Sequence, residues 1–217
     1  MTPPDATRTD WDAYYERPYS LAQATRRITA GYLSKLLAQH AGPPADERGL
    51  QVAELGGANS SFAAGLLKRF PIARYEILDN NETGLALSAA RFAADPRVVC
   101  RACDILDLEA DPVADIVFSV GLIEHFDPPG TARMLAQHFA LLRPGGLAVI
   151  SYPTPTGLYR FARQVSERSG RWIFHDERPL MKAEVLAATR PHAELLESKL
   201  IWPIVFTQEM LACRKHD

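Results

Sequence analysis

Four acidic residues stand where short apolar runs of this sequence end, each of a type and spacing that could hold a polar ligand. Glu54 lies in Val52-Ala53-Glu54-Leu55-Gly56-Gly57-Ala58-Asn59-Ser60, and Asp79 closes Ile77-Leu78-Asp79-Asn80. Asp104 sits in Cys103-Asp104-Ile105, and Glu124 in Ser119-Val120-Gly121-Leu122-Ile123-Glu124-His125-Phe126. Small residues after Glu54 let backbone approach a ligand closely, and the helix start beyond them offers free N–H groups. A dinucleotide fingerprint needs G-x-G-x-x-G, whereas this stretch reads Gly56-x-Ala58-x-x-Ser61. A carboxylate at Glu54 would repel a pyrophosphate and suits an ammonium or sulfonium charge instead.

A glycine pair alone can equally mark a tight strand-to-helix turn. The other acids decide between the two readings. Asp79 can accept hydrogen bonds from both hydroxyls of a ribose. Asp104, with Ile105 beside it, can grip the amino group and the face of an adenine. Asn59, Asn80, Ser119 and Val120 complete a set of strand-tip residues suited to an adenosine with a charged tail. His125 follows Glu124 directly, and imidazole is the side chain best poised to take a proton near neutral pH. It either takes that proton or holds its loop by bonding backbone.

Elements of a particular kind must position these residues. Apolar runs at 51–55, 73–78, 97–101, 115–119 and 147–152 read as strands. Between them, 60–70, 82–94 and 131–142 carry helical patterns, the last stopped by Arg143-Pro144-Gly145-Gly146. The run at 115–119 is apolar enough for a strand buried on both faces. This rhythm predicts a parallel sheet with helices on both faces. A helical stretch from Leu21 to Leu37 precedes it, ending at Gly42-Pro43-Pro44. After Pro153 the pattern is irregular to about Pro179, a helix resumes at 182–190, and strands at 193–201 and 205–214 close the chain. The short link at Trp202-Pro203 suits a hairpin, so the last strand should run antiparallel to its neighbour.

Composition limits the functions open to such a chain. With 217 residues, 47% of them apolar and 23% charged, it suits one folded unit over 1–217. Within it, 1–45 would be an N-terminal helical cover, 51–152 a cofactor-binding core, 153–181 a substrate-facing insertion and 182–217 a terminal helix and hairpin. Lys+Arg 24 against Asp+Glu 26 gives a net charge of −2, which removes the electrostatic case for nucleic acid. No apolar run reaches the ~20 residues of a membrane span. The start lacks the features of a signal peptide, and three cysteines make no disulfide framework, so the cytoplasm is expected.

In these motifs the sequence resembles the class I S-adenosylmethionine-dependent methyltransferases. The stretch 54–60 resembles that family's E-x-G-x-G-x-G motif, with Ala58 and Ser60 at its second and third glycine positions. Asp79 is similar to its second-strand acid, Asp104 to its adenine-contacting acid, 119–126 to its fourth motif, and 142–146 to the turn before its fifth strand. The resemblance spans about 51–152 and implies a Rossmann-like, mostly parallel seven-stranded sheet with an antiparallel C-terminal hairpin. It further implies that Glu54, Gly56, Gly57, Ala58, Asn59, Asp79, Asn80, Asp104, Ile105, Ser119 and Val120 hold S-adenosylmethionine and its product S-adenosylhomocysteine. The activity implied is methyl transfer to an oxygen or nitrogen of a small molecule.

The acceptor should be chosen by the N-terminal aromatic group Trp11, Tyr14, Tyr15 and Tyr19 and by 154–179, with Tyr14, Tyr15, Tyr159 and Arg160 as candidate contacts. Both segments are expected to cover the site. Five arginines (160, 163, 168, 171 and 178) form either a solvated basic face or a grip for an anionic acceptor. Cys100 and Cys103 have C-x-x-C spacing but no second pair, and read as small residues of a strand end. Glu124-His125 resembles the metal-binding E-x-x-E-H of some quinone-biosynthesis methyltransferases, but Gly121 replaces the first acid, so no metal is expected. Two rivals are a non-catalytic cofactor-binding partner and a nicotinamide-dependent oxidoreductase.

Overall fold

A computed structural model of the chain describes residues 9–16, 20–44, 47, 49–109, 111–201 and 207–217. Tyr19 and the Trp202-Pro203 link lie outside them. Seven strands form one sheet: β1 (Leu50–Leu55), β2 (Ile72–Asp79), β3 (Val98–Ala102), β4 (Ala114–Val120), β5 (Leu142–Pro153), β6 (Ala193–Ile201) and β7 (Gln208–Lys215). Their order is β3-β2-β1-β4-β5-β7-β6. The first five pair in parallel, whereas β7 runs antiparallel to both β5 and β6. The expected sheet, with its antiparallel terminal strand, is the observed one.

Alternation along the central strands sends side chains to two opposite cores. Val52, Ile116, Phe118, Val149 and Met210 join one core; Ala53, Val117, Ala148, Ile150 and Leu211 join the other. Helices α2 (Ser20–His40), α3 (Ala63–Arg69) and α4 (Glu82–Arg91) cover the first face, burying Leu33, Leu37, Leu66 and Leu85. Helices α5 (Pro128–Leu141) and α7 (Lys182–Thr189) cover the second with Leu135, Phe139 and Val185. Each such side chain contributes roughly 1.5–3 kcal/mol on burial, which is why β4 and β5 tolerate almost no polar residue. No helix among the described residues is long and apolar enough to cross a membrane.

Boundaries shift where a cap decides them. Helix α5 begins at Pro128 rather than 131, because the Asp127 side chain accepts the Gly130 N–H at 2.8 Å and Pro128-Pro129 pre-set the first turn. Helix α3 begins at Ala63 rather than 60, since Ser60 Oγ accepts the N–H groups of Phe62 and Ala63.

Two helices differ from the expected pattern. A short α1 (Trp11–Glu16) precedes α2, and the stretch expected to be irregular contains α6 (Gly157–Arg168). Thr156 caps α6 by accepting the Tyr159 N–H at 3.3 Å. Tyr159 is buried, while Leu158, Phe161 and Val165 are 43%, 65% and 51% exposed. The apolar stripe of α6 is therefore not packed into either core of the sheet, and a pattern sought for a core-facing helix does not find it.

Removing the cap tests this assignment. Thr156→Ala should lower stability by about 1 kcal/mol and speed amide exchange in 157–168 more than in the central strands. Denaturant titration and hydrogen exchange together measure both effects.

Candidate active site

The order of the strands reverses between β1 and β4, the switch point where open parallel sheets leave a crevice beyond their carboxyl ends. Two glycine turns flank it. Gly56 (φ 69°) and Gly121 (φ 72°) hold left-handed backbone that other residues seldom adopt. A Cβ on Gly56 would come within 2.7 Å of Leu122 Cδ1, so the two turns touch. A Cβ on Gly57 would lie 2.7 Å from Glu54 Cδ, so only glycine lets the carboxyl lie beneath that turn. A cavity of about 1440 Å³ opens here. One drug-sized ligand needs roughly 300–1,000 Å³, so there is room for two reactants together.

One half of the cavity is built from strand tips. Glu54 is 3% exposed, and its Oε2 accepts the hydroxyls of Ser60 and Tyr75, both at 2.6 Å. Burial pushes its pKa up to about 7, against the lowering effect of those two hydrogen bonds. Asp79 accepts the Ala58 N–H at 3.0 Å and the Asn81 N–H at 2.8 Å, and burial raises its pKa as well. Asp104 and Ile105 line the cavity beside them, with Asp104 accepting the Leu106 N–H at 2.9 Å. Arg26 of α2 reaches the same wall and bonds the Tyr14 hydroxyl.

The other half comes from segments far apart in the chain. His125 Nδ1 lies 3.0 Å from Asp176 Oδ1, and Thr9 Oγ1 also bonds that carboxylate. Asp176 is held well below the usual carboxylate range: burial would raise its pKa, but the bonds from His125 and Thr9 outweigh it. An ionised Asp176 only accepts, so Nδ1 carries the imidazole proton. His125 Nε2, without a partner among the described residues, is left as the basic nitrogen at the cavity wall. Burial alone would lower the His125 pKa, but the bond to Asp176 and the charges of Glu124, Asp176 and Glu177 hold it above its ordinary value.

Around this pair, Trp11 packs edge-on to His125 at 5.1 Å and against Phe174 at 5.9 Å, and Tyr14 meets Phe174 at 5.7 Å. The two segments expected to cover the site thus meet over it. Tyr159 donates its hydroxyl to Glu177. Glu124 is 2% exposed, lines the cavity, and its Oε2 has no hydrogen-bond partner among the described residues.

Most of the residues singled out from sequence line this cavity: Glu54, Gly56, Gly57, Asn59, Asp79, Asn80, Asp104, Ile105, Val120, His125, Tyr14, Tyr15 and Tyr159. Three do not. Ala58 is wholly buried and spends its N–H on Asp79. Ser119 points into the opposite core, 2.8 Å from His138 Nε2. His138 Nδ1 donates to the Met134 carbonyl at 2.7 Å, and burial lowers the ring's pKa to about 4 against the raising effect of that bond. Arg160 is exposed and borders a separate shallow groove, because its place on α6 turns it away from the crevice.

Tyr15 lies over Gly84 at the start of α4 and beside Asp79, at the strand-tip end rather than near His125. Arg163 pairs with Glu167 at 2.7 Å and Arg178 with Glu184 at 2.8 Å, so of the five arginines Arg171, which lines the cavity, is the one placed to meet an anionic acceptor. Sequence reasoning missed Arg26, Phe174, Asp176 and Glu177 as cavity residues. The last three sit in an extended stretch without periodicity, where only the folded chain shows what faces His125. Among the described residues no group of three or more His, Cys, Asp or Glu gathers as metal ligands.

Comparison with known proteins follows this geometry. The sequence profile of a family described as a methyltransferase domain matches residues 52–146. Among solved structures, the chain resembles the N-methyltransferase NodS from Bradyrhizobium japonicum WM9 in complex with S-adenosylhomocysteine (14% identity, TM-score 0.67, 98% of this chain and 95% of that one). It also resembles the complex between the Haloferax volcanii Trm112 methyltransferase activator and a methyltransferase (17%, TM-score 0.75, 97% and 99%). A third is Burkholderia thailandensis 1,6-didemethyltoxoflavin-N1-methyltransferase with bound 1,6-didemethyltoxoflavin and S-adenosylhomocysteine (19%, TM-score 0.63, 96% and 83%). No curated protein sequence matches the chain.

Two measurements probe the strand-tip half. Because Glu54 binds its proton more tightly folded (about 7) than at its ordinary 4.5, it favours the folded state below pH 4.5 and that contribution is lost as pH rises through 7. Denaturation of the ligand-free protein should show stability falling between about pH 5 and 8, by on the order of 2–3 kcal/mol from this group. Glu54→Gln should flatten that slope. Asp79→Ala should weaken S-adenosylhomocysteine by roughly 1.5–3 kcal/mol in calorimetry; unchanged affinity in a folded variant would remove Asp79 from the site.

Proposed function

From the match of residues 52–146 to a methyltransferase-domain profile and the fold shared with methyltransferases that bind S-adenosylhomocysteine, we propose that the protein is an S-adenosylmethionine-dependent methyltransferase acting on an oxygen or nitrogen of a small-molecule acceptor. The observation that carries the reading is the His125–Asp176 pair, set on the cavity wall that also carries Glu54, Asp79 and Asp104. The strand-tip half fits the cofactor. Asp79 offers two carboxylate oxygens already oriented by backbone N–H groups, as a ribose diol requires. Glu54, buried with its pKa raised, gains most from a cationic neighbour. Arg26, the cation of this wall, would take the carboxylate of the cofactor's amino-acid tail.

Bound there, S-adenosylmethionine supplies an electrophilic methyl group on a sulfonium. The chain's own work is placement, worth on the order of 7–11 kcal/mol when acceptor and methyl carbon are held in line. Trp11, Tyr14 and Phe174 close over the reacting region and limit the entry of water. His125 Nε2 takes the acceptor's proton, Nδ1–H stays bonded to Asp176, and the carboxylate steadies the imidazolium that forms.

A small acceptor is supported by the net charge of −2, which offers a phosphate backbone little attraction. Three unbridged cysteines support the cytoplasm as the place of work. The chain is read as one functional unit, since the cavity draws residues from α1 through β7. A non-catalytic partner would have no use for an oriented His–Asp pair beside the cofactor half.

The test is a metabolite extract incubated with isotope-labelled S-adenosylmethionine and read by mass. His125→Ala should cut kcat about 10²- to 10⁴-fold and leave S-adenosylhomocysteine affinity nearly unchanged. The acidic limb of the pH–rate profile should disappear with it. Asp176→Asn removes a cause that raises the His125 pKa, so its acidic limb should move to lower pH. A loss of rate that only tracks lost thermal stability, with the acidic limb in place, would assign His125 to the scaffold.

A further inference from the structure

The acceptor half carries two features that the methyl-transfer reading leaves unused. One is Glu124: 2% exposed, on the cavity wall, with Oε2 buried and lacking a hydrogen-bond partner among the described residues. Its acidic neighbours already have partners, Asp176 in His125 and Thr9, Glu177 in Tyr159 and Arg163. A buried carboxyl oxygen left alone is costly, and an ionic hydrogen-bond donor is the partner that relieves it best. Burial pushes the Glu124 pKa up to about 8. Trp11, Trp172 and Phe174 line the same cavity, and the face of an aromatic ring attracts a cation.

The second feature is the stripe Leu158, Phe161 and Val165 on α6, spaced for one helix face, highly exposed, and lining the same cavity. Exposed apolar residues scattered singly need no explanation, but three in a row leading out of a ligand cavity mark a place for apolar ligand surface. The opposite side of α6 carries Arg160, Arg163, Gln164 and Glu167.

We propose that the methyl acceptor is an amphipathic amine, with its basic nitrogen beside Glu124 and His125 and its apolar body along Leu158, Phe161 and Val165. The inference rests on the methyl-transfer reading and deepens it. The amine enters as an ammonium paired with the Glu124 carboxylate and gives one proton to His125 Nε2. The freed nitrogen lone pair forms the new C–N bond as the methyl–sulfur bond breaks, the bonding electrons leaving with sulfur. The products are an N-methylammonium, the thioether S-adenosylhomocysteine, and one proton that His125 returns to solvent. An alcohol of the same shape would leave Glu124 without an ionic partner.

Binding to the protein saturated with S-adenosylhomocysteine tests the proposal without turnover, by calorimetry and by the fluorescence of Trp11 and Trp172. Octylamine should bind at least about tenfold tighter than octan-1-ol, the worth of a charged hydrogen bond. It should exceed propylamine by at least as much, since five buried methylenes separate them. Glu124→Gln should weaken octylamine about tenfold and leave octan-1-ol and S-adenosylhomocysteine unchanged. Val165→Asp should weaken octan-1-ol, which carries no charge to be drawn to the new acid.

Octan-1-ol matching octylamine overturns the amine assignment, and propylamine matching octylamine overturns the apolar one. The wild-type series decides both even if a variant fails to fold. S-adenosylhomocysteine binding without any octylamine binding sinks this proposal alone. Failure of S-adenosylhomocysteine to bind sinks the methyl-transfer reading beneath it.

Discussion

Glu54 lies inside β1 with 3% of its surface exposed, where an isolated carboxylate would cost several kcal/mol. Its surroundings are arranged to offset that cost. Two hydroxyls, from Ser60 and Tyr75, converge on one carboxylate oxygen at 2.6 Å. Ser60 in turn accepts the N–H groups of Phe62 and Ala63, so the group that solvates Glu54 also starts α3. Gly57 must lack a side chain because the carboxyl lies against it, and Gly56, left-handed at φ 69°, has no Cβ to meet Leu122. Ser88 closes the arrangement by accepting the Ser60 N–H and donating to the Ala58 carbonyl. The residual cost, visible as a raised pKa, is what a cationic ligand removes. A cationic ligand seated there would turn that stability cost in the free protein into affinity.

The two halves of the cavity are held by different means. At the strand tips, each side chain is fixed by the strand that carries it and by the parallel register of β1, β2 and β4. Asp79 both faces the cavity and anchors the first loop through the Ala58 N–H. Around His125, orientation comes from contacts between distant segments: Thr9 and Asp176 are brought together, and Trp11 meets Phe174. The Arg178 N–H bonds the Glu124 carbonyl at 2.9 Å, and its guanidinium reaches Thr131, which also donates to the Ile123 carbonyl. The arginine-rich stretch thus ties the loop after β4 to α5 and α7.

Much of the strand-tip half was legible in the sequence. A parallel strand buried on both faces must be an unbroken apolar run, so 115–119 could be read directly, and an acid at its neighbours' ends had to sit on the ligand edge. The antiparallel last strand followed from a link too short for a crossover. Ser119 was misread because a period of two sends alternate residues to opposite faces. A shift of one position separates the cavity from the core where His138 waits. Arg160 was misread because the helix that turns it outward was not recognised as a helix.

What the sequence determined by itself, then, is the sheet, the switch point and the acids at its edge, because local periodicity and strand length fix them. Only the tertiary structure decided that Asp176 faces His125, that Glu124 Oε2 is buried with no hydrogen-bond partner among the described residues, and that the apolar side of α6 opens onto the cavity. Those facts depend on contacts between residues up to 167 positions apart, such as Thr9 and Asp176. No local pattern encodes such contacts, since they are set by how separate segments pack over one crevice.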